Sequence, residues 1–183
     1  SAPAFAQDLP IRQFLISPSI DPLSDKNKPL PDEVIDAVLA KYAIPQDKPI
    51  VTQISRFDKL KDPVGVIAAY RQVKKRVDCR LVLAGGTASD DPEGLQVLEE
   101  VRDRAAGDPD IHILLLPQND IEVNALQRAS AVILQKSLKE GFGLTVAEAL
   151  WKSKPVVASH VGGIPLQIAH KYSGLLCYSI DGA

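Results

Sequence analysis

Two glutamates, Glu140 and Glu148, bracket the run Gly141-Phe142-Gly143-Leu144-Thr145. Main-chain amides at the start of a helix lack helical partners and can hold an anion, and glycines let a ligand come close to the backbone. If a helix opens near Leu144, the N–H groups of Gly143, Leu144 and Thr145 are ready donors for phosphate. A carboxylate at each end of the turn can take sugar hydroxyls. The combination asks for a ligand that carries both phosphate and sugar. Glu148 lies slightly more than one helical turn further in, where it can reach a ribose; Glu140 precedes the turn and can reach a transferred sugar. The plain alternative for such a pair is solvent exposure, and the glycines between them at the end of a predicted strand weigh against it.

A second group follows the first regular apolar run: Ser55-Arg56-Phe57-Asp58-Lys59-Leu60-Lys61. Arg56, a planar fork, and Lys61, a point charge, can close on a diphosphate, although surface charge on a solvated loop explains this segment alone as well. Gly85-Gly86-Thr87 allows close approach of a ligand or is simply a tight turn. Pro117-Gln118-Asn119-Asp120 can meet a nucleobase through backbone groups, while Asn119 or Asp120 caps the next helix. Gly162 and Gly163 point to unusual torsions or close backbone approach. Asp90, Asp91 and Glu93 favour a helix start through its dipole more than they favour a metal, and no metal site is expected. The histidines, His112, His160 and His170, are scattered, and no serine or cysteine sits on a nucleophile turn, so a catalytic triad is not indicated.

These groups all sit just past short apolar runs, at 50–54, 81–84, 113–116, 131–134 and 156–158, several of them rich in β-branched residues. Amphipathic stretches at 64–75, 95–105, 121–128 and 144–151 separate them. Such alternation predicts an α/β fold, a parallel Rossmann-like sheet with helices on both faces. Ligands on such sheets bind beyond the carboxyl ends of the strands, where all of the candidate residues fall. A short strand is expected at 11–16, a connector rich in turn formers at 17–24, a helix opening near Pro31 with apolar spacing through Val34, Ile35, Val38, Leu39 and Tyr42, and a last short strand at 174–177. Residues 1–30 read as an irregular connector and 31–183 as the domain. A sheet of this kind normally covers its last strand with a further helix, so truncation at the C-terminus is expected. The chain contains no methionine, even at position 1, as expected for a piece of a longer protein.

With 183 residues and 45% hydrophobic content, one well-packed domain can form. The net charge of −2 and the lack of basic blocks argue against a nucleic-acid or membrane-surface role. No apolar run approaches a bilayer span and no secretory leader is visible, so a cytoplasmic location is expected. Cys79 and Cys177 are expected to be buried thiols rather than a disulfide.

Together these segments resemble the C-terminal, donor-binding half of a retaining, family 4 glycosyltransferase of the two-Rossmann-domain (GT-B) type, over roughly residues 17–177. The resemblance rests on the Glu-x₇-Glu signature EGFGLTVAEALW at 140–151, on the phosphate-binding SRxxxxK element ending at Lys61, and on PVVASHVGGI at 155–164, in family order. The family often has Gly after that lysine; here Asp62-Pro63 follows, which questions the backbone role of that position. SPSIDPLSDKN at 17–27, DDPEG at 90–94 and QRASAVILQKSLKEGFGLTVAEALW at 127–151 are similar to the trehalose-forming synthases of the family, with trehalose phosphorylases as the alternative. The resemblance implies a nucleoside diphosphate glucose (UDP-, ADP- or GDP-glucose) as donor, a sugar acceptor, an N-terminal Rossmann-like partner domain, and no required cofactor or metal. It further implies catalytic roles for Arg56, Lys61 and Glu140. Gly85, Pro117, Gln118, Gly141, Phe142, Gly143, Leu144, Thr145 and Glu148 would bind substrate. Competing readings are a non-catalytic nucleotide-binding module, a flavodoxin-like interaction domain, and a dinucleotide oxidoreductase. The last is weak, because no Gly-x-Gly-x-x-Gly follows the first strand.

Overall fold

The computed structural model describes residue 14, residues 16–86 and residues 92–178. The expected strand at 11–16 therefore lies almost wholly outside the described residues, as do Thr87, Asp90 and Asp91. Six strands, β1 (Ile50–Ile54), β2 (Arg80–Gly85), β3 (Ile111–Leu115), β4 (Val132–Gln135), β5 (Val156–Ser159) and β6 (Leu175–Cys177), form one sheet. Every pairing is parallel and the order is β3-β2-β1-β4-β5-β6. This is the doubly wound order, in which the chain reverses its direction of travel between β1 and β4 and opens a crevice at their carboxyl ends. The helices are α1 (Asp32–Lys41), α2 (Pro63–Lys74), α3 (Pro92–Ala105), α4 (Asp120–Ala129) and α5 (Leu144–Trp151).

Side chains alternate across a strand, and here both faces are apolar. Leu81 and Leu83 of β2 pack with Val66, Ile67 and Tyr70 of α2 and Val97, Leu98 and Val101 of α3. Val82 and Ala84 face the other way, against Leu39 of α1 and Ala125 and Leu126 of α4. On that same side Val146 and Ala149 of α5 meet Ile133, Val156 and Ala158. Turn chemistry starts the helices. Asn119 caps α4 by accepting from the amides of Ile121 (3.1 Å) and Glu122 (3.3 Å). Asp62 caps α2 by accepting from Gly65 N at 3.0 Å, with Pro63 in the first turn, where its missing N–H costs nothing.

Only β1 keeps the bounds that periodicity gives; the other strands shift by one or two residues at an end, and two of the shifts involve a buried polar side chain. β3 begins two residues earlier, because the polar His112 interrupts the apolar pattern; burial pushes the pKa of its imidazole down. β4 runs one residue further, to Gln135, a buried amide that donates to Ser137 Oγ (3.0 Å) and Glu140 Oε2 (3.1 Å). Cys79 and Cys177 are buried free thiols. Among the described residues no helix is long and apolar enough to cross a membrane.

At the amino ends of β1–β3 lies a closed ionic cluster. Arg80 binds Asp110 (3.1 Å) and Asp47 (2.9 Å), and Lys48 binds Asp110 (2.9 Å) and Asp78 (3.1 Å). Lys74 binds Asp108 (2.7 Å) and Asp110 (2.9 Å). Hydrogen bonds from Lys48 and Lys74 hold the Asp110 carboxyl down at about 2.

Candidate active site

The arginine–lysine loop and the acid-flanked turn leave adjacent strands, β1 and β4, and three hydrogen bonds sew them together. Gln53, buried in β1, donates from Nε2 to Lys61 O (2.8 Å) and accepts through Oε1 from Lys136 N (2.9 Å). Leu138 N donates to Leu60 O at 2.8 Å. Asp58 caps the short 3₁₀ turn Lys59–Lys61 by accepting from Lys61 N (3.1 Å). The result is a direct ion pair, Lys61 Nζ to Glu140 Oε2, at 2.6 Å, between side chains that are 17% and 13% exposed.

Glu140 is thus bonded inward as well as facing the crevice. Its Oε2 also receives Gln135 Nε2 and Ser137 Oγ (3.2 Å), and its Oε1 receives its neighbour's amide, Gly141 N (3.1 Å). Burial raises its pKa, but the Lys61 hydrogen bond and charge, with these further donors, outweigh that and hold it below the usual carboxylate range. It is a carboxylate at neutral pH.

Beyond it, Gly143 sits at φ 85 and opens α5, where the first bond of the new ladder is Val146 N to Gly143 O at 2.9 Å. The amides of residues 143–145 therefore precede the ladder, as the sequence reading required. The segment after β5 buttresses this turn. Gly162, at φ 56, lies so close that a Cβ there would stand 1.8 Å from Glu140 O; one on Gly163 would stand 2.9 Å from Gly141 O. Gly163 N donates to Gly141 O at 2.7 Å, and Gln167 Nε2 donates to Phe142 O. Asp62 takes the left-handed conformation at φ 46. Aspartate tolerates that region better than most residues, and its carboxylate caps α2 and pairs with Lys136.

A cavity of about 870 Å³ opens at the carboxyl ends of β1–β3, its walls including Arg56, Gly85, Pro117, Gln118 and Thr145. A second, of about 330 Å³, is lined by Lys61, Lys139, Glu140 and Gly141 and shares Arg56 as a wall. Arg56 is 67% exposed on its side chain and its Nη2 lies 3.2 Å from Asp58 Oδ2. Gly85 faces the larger cavity, but its lack of a side chain answers to the fold: a Cβ there would stand 1.8 Å from Ser55 O. Phe142, Gly143, Leu144 and Glu148 line neither cavity. Glu148 is 4% exposed and is held by Gln127 Nε2 (3.0 Å) and Lys26 Nζ (3.3 Å). Among the described residues, no group of three or more His, Cys, Asp or Glu is arranged to hold a metal ion. Arg56 thus joins a small cavity that holds Lys61 and Glu140 to a larger one that reaches Thr145 in the first turn of α5, an arrangement able to bind an anionic group next to a polyhydroxylated one.

A family profile described as Glycosyl transferases group 1 matches residues 34–181. The chain belongs to that family. It is 50% identical over 157 residues to a trehalose synthase of Rubrobacter xylanophilus, covering 84% of this chain and 38% of that protein. A trehalose synthase of Thermococcus litoralis is 46% identical over 172 residues, covering 92% and 42%. A trehalose phosphorylase of Grifola frondosa is 38% identical over 146 residues, covering 73% and 20%. The chain thus spans about two fifths of the length of the synthases. Among solved structures, a Rickettsia africae glycosyltransferase superposes with a TM-score of 0.73 at 23% identity, covering 84% of this chain and 40% of that one. HepE of Anabaena, in complex with UDP and glucose, superposes with a TM-score of 0.68 at 20% identity, covering 84% and 40%. At these identities the structures bear on the fold, which is that of one half of a GT-B glycosyltransferase.

Sequence reasoning missed several residues around these cavities. Gln53 and Gln135 orient the two loops, and their signal was available: a lone amide at the end of an apolar strand must find buried partners. Asp25 and Lys26, which join the wall of the larger cavity, carried no local signal at all.

Proposed function

We propose that this chain is the donor-binding half of a retaining glycosyltransferase that moves glucose from a nucleoside diphosphate glucose to an acceptor sugar, glucose itself, giving trehalose. The observation that carries this reading is the Lys61–Glu140 pair in one cavity, joined through Arg56 to a larger cavity that Thr145, in the first turn of α5, also lines. The names of the synthase relatives support the product. In this reading Arg56, Lys61 and the amides of residues 143–145 bind the diphosphate and stabilise it as negative charge builds on departure, the kind of preorganised electrostatics that dominates such steps. Glu140, pinned as a carboxylate, orients the donor sugar, whose cleavage gives it oxocarbenium character while the acceptor attacks from the same face. Glu148 takes the ribose, and Pro117 and Gln118 meet the base. Arg56 and Lys61 supply the neutralising charge, so no metal or other cofactor is required. The acceptor lies in a cleft completed by an N-terminal Rossmann-like domain, and the protein works in the cytoplasm. The phosphorylase relative favours one alternative, in which inorganic phosphate replaces the nucleoside diphosphate.

Thermal unfolding of the 183-residue chain with UDP, ADP, GDP and their glucose conjugates tests this reading. At least one nucleoside diphosphate should raise the midpoint, by an amount that grows with the logarithm of its concentration over Kd. Stabilisation by none of them overturns the proposal, and stabilisation by inorganic phosphate alone favours the phosphorylase. The chain by itself should transfer no sugar, so trehalose formed from purified chain and donor would refute its role as a half-site.

A further inference from the structure

The turn around Asp21–Lys28 is bound to the domain by groups that have no other evident task. Asn124, fully buried in α4, donates to Asp25 O (2.9 Å) and Lys28 O (2.8 Å). Arg128 donates from Nη2 to Asn27 O and Lys28 O, each at 3.0 Å. Asn27 is 3% exposed; its Nδ2 donates to Asp21 O (3.0 Å) and its Oδ1 receives Lys152 Nζ (2.9 Å) from the end of α5. Main-chain carbonyls on both sides of Lys26 are therefore fastened, and the backbone that presents this lysine is rigidly held.

Held this way, Lys26 reaches the larger cavity beside Pro117, Gln118 and Thr145. Its Nζ is 3.3 Å from Glu148 Oε1, and its side chain is 37% exposed where that of Glu148 is 5%. The second oxygen of Glu148 is occupied by Gln127. What the cavity meets at this end is an ammonium backed by a carboxylate. An ammonium has three donors and no acceptor, and one donor is aimed at Glu148.

We infer that Lys26 is a nucleoside-reading residue: the Lys26–Glu148 pair takes the ribose hydroxyls together, Lys26 donating to a hydroxyl oxygen and Glu148 accepting a hydroxyl proton. This rests on the reading of the cavity as a nucleoside diphosphate site and extends it to a residue outside the sheet-and-helix core. A pair of opposite character suits a vicinal diol, because each hydroxyl can both donate and accept. It also makes ribose recognition depend on the docked turn, so that the segment leading into the domain forms part of the donor pocket.

Titration calorimetry on the 183-residue chain tests this with UDP, ADP, GDP and their 2′,3′-dideoxy forms. The wild-type chain should bind UDP, ADP or GDP at least about tenfold more tightly than the matching dideoxy compound, the usual worth of a hydrogen bond to a charged group. Lys26→Met keeps the apolar stem without the charge; it should weaken the ribonucleotide about tenfold and leave the dideoxy form unchanged. Lys26→Arg should restore most of the loss. Several outcomes overturn the inference. Tighter ribonucleotide binding by Lys26→Met makes the lysine a plug that the ligand must displace. Equal weakening of both ligand forms makes it a remote charge felt by the diphosphate. A wild-type chain that ignores the diol overturns it whether or not the variants fold. If the wild-type chain binds none of UDP, ADP and GDP, the functional reading itself fails and the inference falls with it; normal binding with an inert Lys26 sinks the inference alone.

Discussion

At the amino ends of β1–β3, Lys48, Lys74 and Arg80 close on Asp47, Asp78, Asp108 and Asp110; at the carboxyl ends, Arg56 and Lys61 stand on the walls of two cavities. Both rims are charged, and what separates them is whether the charges are used up by one another. Asp110 alone receives three cationic partners, and its depressed pKa records how completely it is neutralised. Arg56 has one carboxylate neighbour and most of its side chain in the open. Lys61 spends one donor on Glu140, which fixes the pair without saturating the lysine. The backbones differ in the same sense. The carboxyl rim has a glycine at positive φ, Gly162, pressed against the acid-flanked turn, where a side chain would have no room. Charge marks a site only where geometry leaves it capacity for a ligand.

Gly162→Ala strikes this contrast hardest. Its Cβ would collide with Glu140 O from a left-handed backbone, so overpacking and αL strain should together cost about 4 kcal/mol. Nucleoside diphosphate binding should disappear with it, since the turn must move. Retained stability and binding, read by thermal unfolding and calorimetry, would mean that the buttress is dispensable. Next comes Asp110→Ala at the opposite rim. Removing one member of a buried ionic cluster leaves the others underpaired and should destabilise the fold by about 3 kcal/mol, with unchanged nucleotide affinity where the protein is folded. An affinity change there would erase the division of labour between the rims. Lys61→Ala should weaken nucleoside diphosphate binding by about 2 kcal/mol, or roughly thirtyfold, while lowering the unfolding midpoint less than Asp110→Ala does, because Glu140 keeps Gln135, Ser137 and Gly141 N as donors. A further effect is that of pH. The Asp110 carboxyl titrates at about 2 in the fold and at about 3.9 in the unfolded chain, so its contribution is complete above the unfolded value and is lost as pH falls through 4 toward 2. The wild-type midpoint should fall across that window, and Asp110→Asn should flatten the fall. An equal fall in the variant would assign the acid sensitivity to other carboxylates.

The reading of individual elements succeeded where the physics is local. Strand β1 and helix α5 occur at the boundaries that periodicity predicts, because Ile50–Ile54 is bounded by turn formers and Gly143 ends the preceding turn. The glycine pair at 162–163 was expected to mark close backbone approach, and it does, although against the acid-flanked turn rather than against a ligand. Gly85 likewise meets backbone, since a Cβ there would collide with Ser55 O, and it lines the larger cavity as well. Local reasoning gave no access to Lys26, whose interest lies wholly in residues about a hundred or more positions away that dock its turn.

Residue type and spacing alone pointed to an α/β chain with cations, carboxylates and glycine turns after its strands, since helix and strand periodicities, caps and glycine turns act over a few residues. The joining of Lys61 to Glu140, the stacking of Gly162 on the acidic turn and the docking of Lys26 on Glu148 were decided by the tertiary structure. They depend on β1 lying beside β4 and on the Asp21–Lys28 turn packing against α4 and α5. Strand order is a global property: it follows from which arrangement buries both faces of the sheet at once, and no window of sequence contains that sum.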